Sequence, residues 1–155
     1  MNAKKENIKN QLYQMCEQAV TLKITEAERA LLDAREVVNH ETKSSAGDKY
    51  ETTREMMQQE IRRIEQQLLN AKQLKQQLLA IDYNKKSGDQ VQIGSYIETS
   101  NGNFLLGIAL GSVSLEHKTY FIISPVSPLG KLLLGKKIGA AVLFNNRSYQ
   151  ILTIV

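Results

Sequence analysis

The chain is poor in the residues that most often announce chemistry. Among 155 residues there is one cysteine, there are two histidines, and tryptophan is absent. The single thiol, Cys16, has no partner for an internal disulfide. His40 and His117 lie too far apart for metal-site spacing, so a structural zinc is not expected. Nowhere does an uncharged apolar run reach the length of a membrane-spanning helix. The opening Met1-Asn2-Ala3-Lys4-Lys5-Glu6 leads into a charged amphipathic stretch, which predicts no targeting segment and a cytoplasmic location. Charge imbalance is slight as well. The 20 basic and 16 acidic residues leave a formal +4, spread along the chain, and this does not by itself point to nucleic acid.

What is present divides the chain in two. A hydrophobic content of 42% and a charged content of 23% suit a globular protein of one or two small domains. Most of the charge and most of the glutamine fall before residue 87, whereas the remainder is rich in Gly, Ile, Leu and Val.

The first part, 1–84, predicts helices. Met57, Ile61, Ile64, Leu68, Ala71, Leu74, Leu78 and Ile81 recur every three or four residues, with Gln, Glu, Arg and Lys between them and neither Gly nor Pro between Asp48 and Asn84. The same spacing appears at Ile8, Leu12, Met15, Ala19 and Leu22, and again at Ala27, Leu31, Ala34 and Val38. The phase slips between these sets at Thr25-Glu26-Ala27-Glu28, whose capping-box spacing predicts a kink or a fresh helix start. Two narrow stripes joined by the turn-prone Ser44-Ser45-Ala46-Gly47 predict an antiparallel coiled-coil hairpin, because each stripe needs a partner to cover it. An arm of about 30 residues would run roughly 45 Å. Periodicity alone is equally compatible with a spacer or a dimerisation arm. Arg62 and Arg63, with Lys72 and Lys75, form by default a solvated helix face; contact with RNA is the functional alternative.

Beyond a linker at 85–90, containing Lys85-Lys86-Ser87-Gly88-Asp89, the second part predicts a small β domain over 91–155. Strands are expected at 91–98, 104–110, 119–124, 141–144 and 149–154, with turns at Ser100-Asn101-Gly102-Asn103 and Asn145-Asn146. One short helix is expected at 128–134, with Ser127 as its N-cap, Pro128 in its first turn and Gly135 beyond its end. Tyr96, Phe104, Tyr120, Phe121, Phe144 and Tyr149 fall mostly in predicted strands, where core packing is their ordinary use. No cluster of His, Cys and acid marks a catalytic centre in this part, so it reads as a docking module.

Two segments resemble a known family. Gly47-Asp48-Lys49-Tyr50-Glu51, at the expected hairpin tip, and the run Ile122-Ile123-Ser124-Pro125-Val126-Ser127-Pro128-Leu129-Gly130-Lys131-Leu132-Leu133-Leu134-Gly135-Lys136-Lys137-Ile138-Gly139 are similar to the GreA/GreB transcript-cleavage factors. Val91-Gln92-Ile93-Gly94-Ser95 and the closing Tyr149-Gln150-Ile151-Leu152-Thr153-Ile154 resemble the first and last strands of that family's C-terminal domain.

The resemblance implies an α+β protein: an N-terminal coiled-coil hairpin, then an FKBP-like domain that docks on the rim of the secondary channel of bacterial RNA polymerase. It implies that Asp48 and Glu51 offer two carboxylates to Mg²⁺ in the polymerase active centre, where a weakly held second ion activates water against the RNA phosphodiester. Ser127 and Pro128 would touch the polymerase. No cofactor would be bound stably, the factor would act as a monomer away from membranes, and RNA 3′ ends and DNA would be met only inside the elongation complex. The polymerase would remain the enzyme. An FKBP-like fold does not bring prolyl isomerase activity with it.

The structural alternatives are plain: Asp48 as N-cap with Glu51 as the N3 acid, and Ser127-Pro128 as a helix start only. The chain departs from the family in having Thr52-Thr53-Arg54-Glu55 after the second acid and Val126 where the family has an acid or Asn. Two further functions therefore stay open, a polymerase-binding regulator that does not stimulate cleavage and a coiled-coil adapter.

Overall fold

The computed structural model describes residues 2–44 and 48–155, with side chains described outside residues 2 and 41–50. Helices α1 (Asn2–Ser44) and α2 (Asp48–Leu79) come first. Strands β1 (Tyr96–Thr99), β2 (Gly102–Leu106), β3 (Gly111–Leu115) and β4 (Lys118–Ile123) follow, then α3 (Pro128–Leu133), β5 (Ala141–Phe144) and β6 (Arg147–Ile154). The protein is thus α+β, a long helical region followed by an open six-stranded sheet. The turn expected at 44–47 lies outside the described residues except for Ser44, the last residue of α1. No described helix is long and apolar enough to cross a membrane.

The chain forms two compact units, Gln18–Lys75 and the combination of Met1–Glu17 with Gln76–Val155. In the helical unit the inward stripe of α2 is the one its sequence predicts: Ile64 and Ala71 are buried, Met57, Ile61, Leu68 and Leu74 half-buried, and the residues between them exposed. The stripe of α1 is continuous through Val20, Ile24, Ala27, Leu31 and Ala34. Thr25 therefore starts no new helix. Its Oγ1 donates to the Thr21 carbonyl at 3.0 Å, a bond made inside a continuing helix, and the phase is carried by Val20 and Ile24 rather than by Leu22, which is 57% exposed. An ion pair of 3.3 Å links Arg35 of α1 with Glu65 of α2.

In the other unit the strand order is β3-β4-β2-β1-β6-β5. All pairs are antiparallel except β2 with β4, which is parallel. β3 makes that parallel pairing reachable: it lies outside β4 and returns through a tight turn at Glu116-His117, where both residues have positive φ (51° and 66°). Asn145-Asn146, with φ of 50° and 63°, make the corresponding turn between β5 and β6. The strand expected at 91–98 is confined to Tyr96–Thr99. Val91 instead bonds the segment that follows α3, donating to Lys136 O and accepting from Gly135 N, both at 2.8 Å.

Each face of this sheet is covered. On one, Ile97, Phe104, Leu106, Val142, Tyr149, Ile151 and Ile154 pack with Leu133 of α3. An extra residue in β6, Leu152, separates Ile151 from Ile154; the register shift lets both point into the core while Leu152 stays exposed. The other face carries Tyr96, Leu105, Tyr120 and Ile122, all buried. Gly94 admits a close approach of Tyr13 and Ile81: a Cβ there would sit 3.0 Å from Ile81 Cγ2 and 3.3 Å from Tyr13 Oη, and its φ is +98°. Lys5, near the start of α1, donates to Thr153 Oγ1 and pairs with Glu98 at 3.4 Å.

Candidate functional site

The candidate residues fall at two places, one in each unit. In the helical unit Asp48 is the first residue of α2 and Glu51 follows within its first turn. A spacing of three brings two positions of a helix to one side. A helix start also leaves unpaired backbone N–H groups and a partial positive charge, both favourable to acids. Glu51 is exposed. The side chain of Asp48 and residues 45–47 lie outside the description. After Glu51, Thr53 is half-buried at the head of the inward stripe, and Arg54 and Glu55 are exposed.

Arg62 and Arg63 lie on the exposed side of α2. Arg63 is committed to Glu60, one turn earlier, through Nε to Oε2 at 2.9 Å and a second contact from the guanidinium to Oε1. Those hydrogen bonds, with the opposite charges, lower the Glu60 carboxyl and raise the Arg63 guanidinium.

In the other unit Ser127 has extended backbone angles (φ −66°, ψ 158°) and caps α3. Its Oγ accepts from Gly130 N at 3.1 Å and donates to the Ser124 carbonyl at 2.6 Å. Pro128 occupies the first turn, where its missing N–H costs nothing. The Ser124 side chain accepts from Val126 N at 3.2 Å, and Val126 itself is 74% exposed at the outside of this loop. Ser127 and Pro128 are thus fixed by their own hydrogen bonds and ring geometry, beside an exposed apolar side chain. Leu134 and Ile138 are exposed after the helix, as is Lys131 within it.

The most perturbed titratable groups are buried ones. Burial pushes the Cys16 thiol up to about 12. Burial raises the phenols of Tyr13, Tyr96 and Tyr120, with Glu98 adding to it for the last two. Among the described residues, no group of three or more His, Cys, Asp or Glu is arranged to hold a metal ion.

Sequence reasoning gave no binding or catalytic role to any residue of a cavity that lies wholly within the sheet-bearing unit. Lys9 is one of its walls and is only 4% exposed, while Ser87, in the expected linker, is buried and bonds Ser95 Oγ at 2.6 Å. A lysine in an amphipathic helix carries no sequence signal of burial; Ser87 in a Lys-Lys-Ser-Gly run reads as solvated turn. No protein-family model matches the chain, and no curated protein matches it.

Proposed function

We propose that this protein is a bacterial transcription elongation factor of the GreA/GreB kind, which docks on RNA polymerase and assists cleavage of backtracked RNA. In this proposal α1 and α2 form an antiparallel coiled-coil hairpin with its tip at 47–51, and 91–155 form an FKBP-like docking domain. The matching inward stripes of the two helices and the Arg35–Glu65 pair support the first part. The capped Ser127-Pro128 start of α3, in the sequence setting described above, supports the second.

The observation that carries the proposal is the start of α2 at Asp48 with exposed Glu51 one turn on. Two carboxylates supply too few oxygens to hold Mg²⁺ alone, since its octahedral shell needs six. They suit a shared role, in which Asp48 and Glu51 add ligands to an ion the polymerase already holds weakly. Activation of water on that ion is the polymerase's chemistry. This chain contributes position and negative charge.

A second function rests on the exposed Arg54, which brings a positive charge close to the tip where the family has an acid. A factor of the same fold would then enter the channel and modulate nucleotide addition without assisting hydrolysis. Adding the purified protein to a backtracked elongation complex separates the two. Short 3′-terminal RNA fragments support cleavage, slowed elongation without fragments supports the regulator, and no effect with no binding rejects both.

A further inference from the structure

We infer that the cavity bounded by Lys9, Tyr83, Lys85 and Lys86 is a binding site for a phosphorylated small molecule of nucleotide size. This is independent of the polymerase proposal, since every wall belongs to the unit formed by Met1–Glu17 and Gln76–Val155. The cavity has a volume of about 330 Å³, within the range of small-molecule sites.

Its chemistry is that of an anion site. Lys9, almost fully buried, donates Nζ to the carbonyl oxygen of Lys85 (3.3 Å) and to an oxygen of Val155, the last residue of the sequence (3.2 Å). An ammonium has three protons, so one remains for a ligand. No side-chain carboxylate among the described residues lies within 4.0 Å of Lys9 Nζ. Burial lowers its pKa, and Glu6 and Asp82 act in the opposite sense without reversing it.

Lys85 and Lys86 add two exposed ammoniums, against the one exposed carboxylate side chain of the wall, Glu6. The backbone N–H groups of Lys86, Ser87 and Gly88 donate to no acceptor among the described residues. Successive free amides in a turn favour phosphate oxygens. The turn itself is fixed, because the Ser87 hydroxyl is held by Ser95 and by the Val155 oxygen at 3.0 Å, and Gly88 supplies a φ of +69°.

The rest of the wall suits an aromatic body better than a bare phosphate. The Tyr83 ring is stacked on Tyr13 with centroids 4.5 Å apart and planes 21° from parallel, which holds it as a flat platform. Asn10 brings an amide to the same cavity.

Calorimetric titration of the full chain with ADP, GDP and inorganic pyrophosphate at low salt tests the assignment. Saturable binding of a nucleotide, one molecule per chain, is expected. In the double variant K85Q/K86Q, which alters only exposed side chains, affinity should fall by about tenfold or more as two charge-assisted bonds are lost. Y83L should weaken the nucleotide and leave pyrophosphate unchanged, with thermal melting confirming that each variant is folded. No saturable binding of any probe at millimolar concentration would overturn the site, as would undiminished affinity in K85Q/K86Q. Pyrophosphate binding as tight as that of either nucleotide would overturn the nucleotide assignment.

Discussion

A Cβ placed on Gly130 would lie 2.1 Å from the carbonyl oxygen of Ser124, so the first turn of α3 closes directly onto the loop before it. That contact is with backbone and has no flexible side chain to move aside. G130A should therefore destabilise the protein by about 2 kcal/mol or more, as overpacking with forced backbone movement does. S127A should cost about 1 kcal/mol or more through loss of the cap and of the bond to the Ser124 carbonyl, and S127T, which keeps a hydroxyl, should recover most of it. Urea denaturation checks all three; a G130A midpoint equal to that of the parent would contradict the geometry.

The continuous stripe of α1 makes a paired prediction. Val20 is 1% exposed and Leu22 is 57% exposed. V20A should destabilise by about 1 to 3 kcal/mol, whereas L22Q should stay within about 0.5 kcal/mol of the parent. The reverse order would restore the phase slip that the sequence alone implies at Thr25.

Cys16 and Tyr13 give the fold an alkaline limit. Burial moves the Cys16 thiol from 9.0 up to about 12 and raises the Tyr13 phenol as well. The unfolded chain then releases the thiol proton from about pH 9 while the folded chain keeps it, so the folded state binds more protons in between. The corresponding stability is complete below pH 9 and is lost as pH rises towards 12, by up to about 1.4 kcal/mol per pH unit for one group. Urea midpoints measured across pH 8–11 should fall less steeply for C16A than for the parent. Equal slopes would mean that the thiol titrates normally.

How far the fold could be read in advance depended on which residues carry periodic information. Met57, Ile61, Ile64 and Leu68 sit in a field of Gln, Glu, Arg and Lys, so the inward face of α2 was plain. Asn145-Asn146 tolerate the left-handed backbone of a tight turn, and the strand at 141–144 followed. β3 was missed because Gly111-Ser112-Val113-Ser114-Leu115 is weakly apolar, and its turn uses Glu116 and His117, residues that seldom mark one. Thr25 misled because its hydroxyl can serve a cap or bond back to the preceding turn, and only packing decides. The proposed role of Asp48 and Glu51 rests on motif resemblance, since both are also ordinary helix-start acids. The walls of the Lys9 cavity come from three stretches far apart in sequence, and no local pattern joins them.

The direct test of the tip is the rate at which a backtracked elongation complex shortens its RNA with D48A/E51A in place of the parent protein. The proposal predicts that cleavage falls by about 100-fold or more while association with the polymerase is unchanged, because only the ligands to the catalytic ion are removed. Cleavage by the double variant at the parent rate would contradict it.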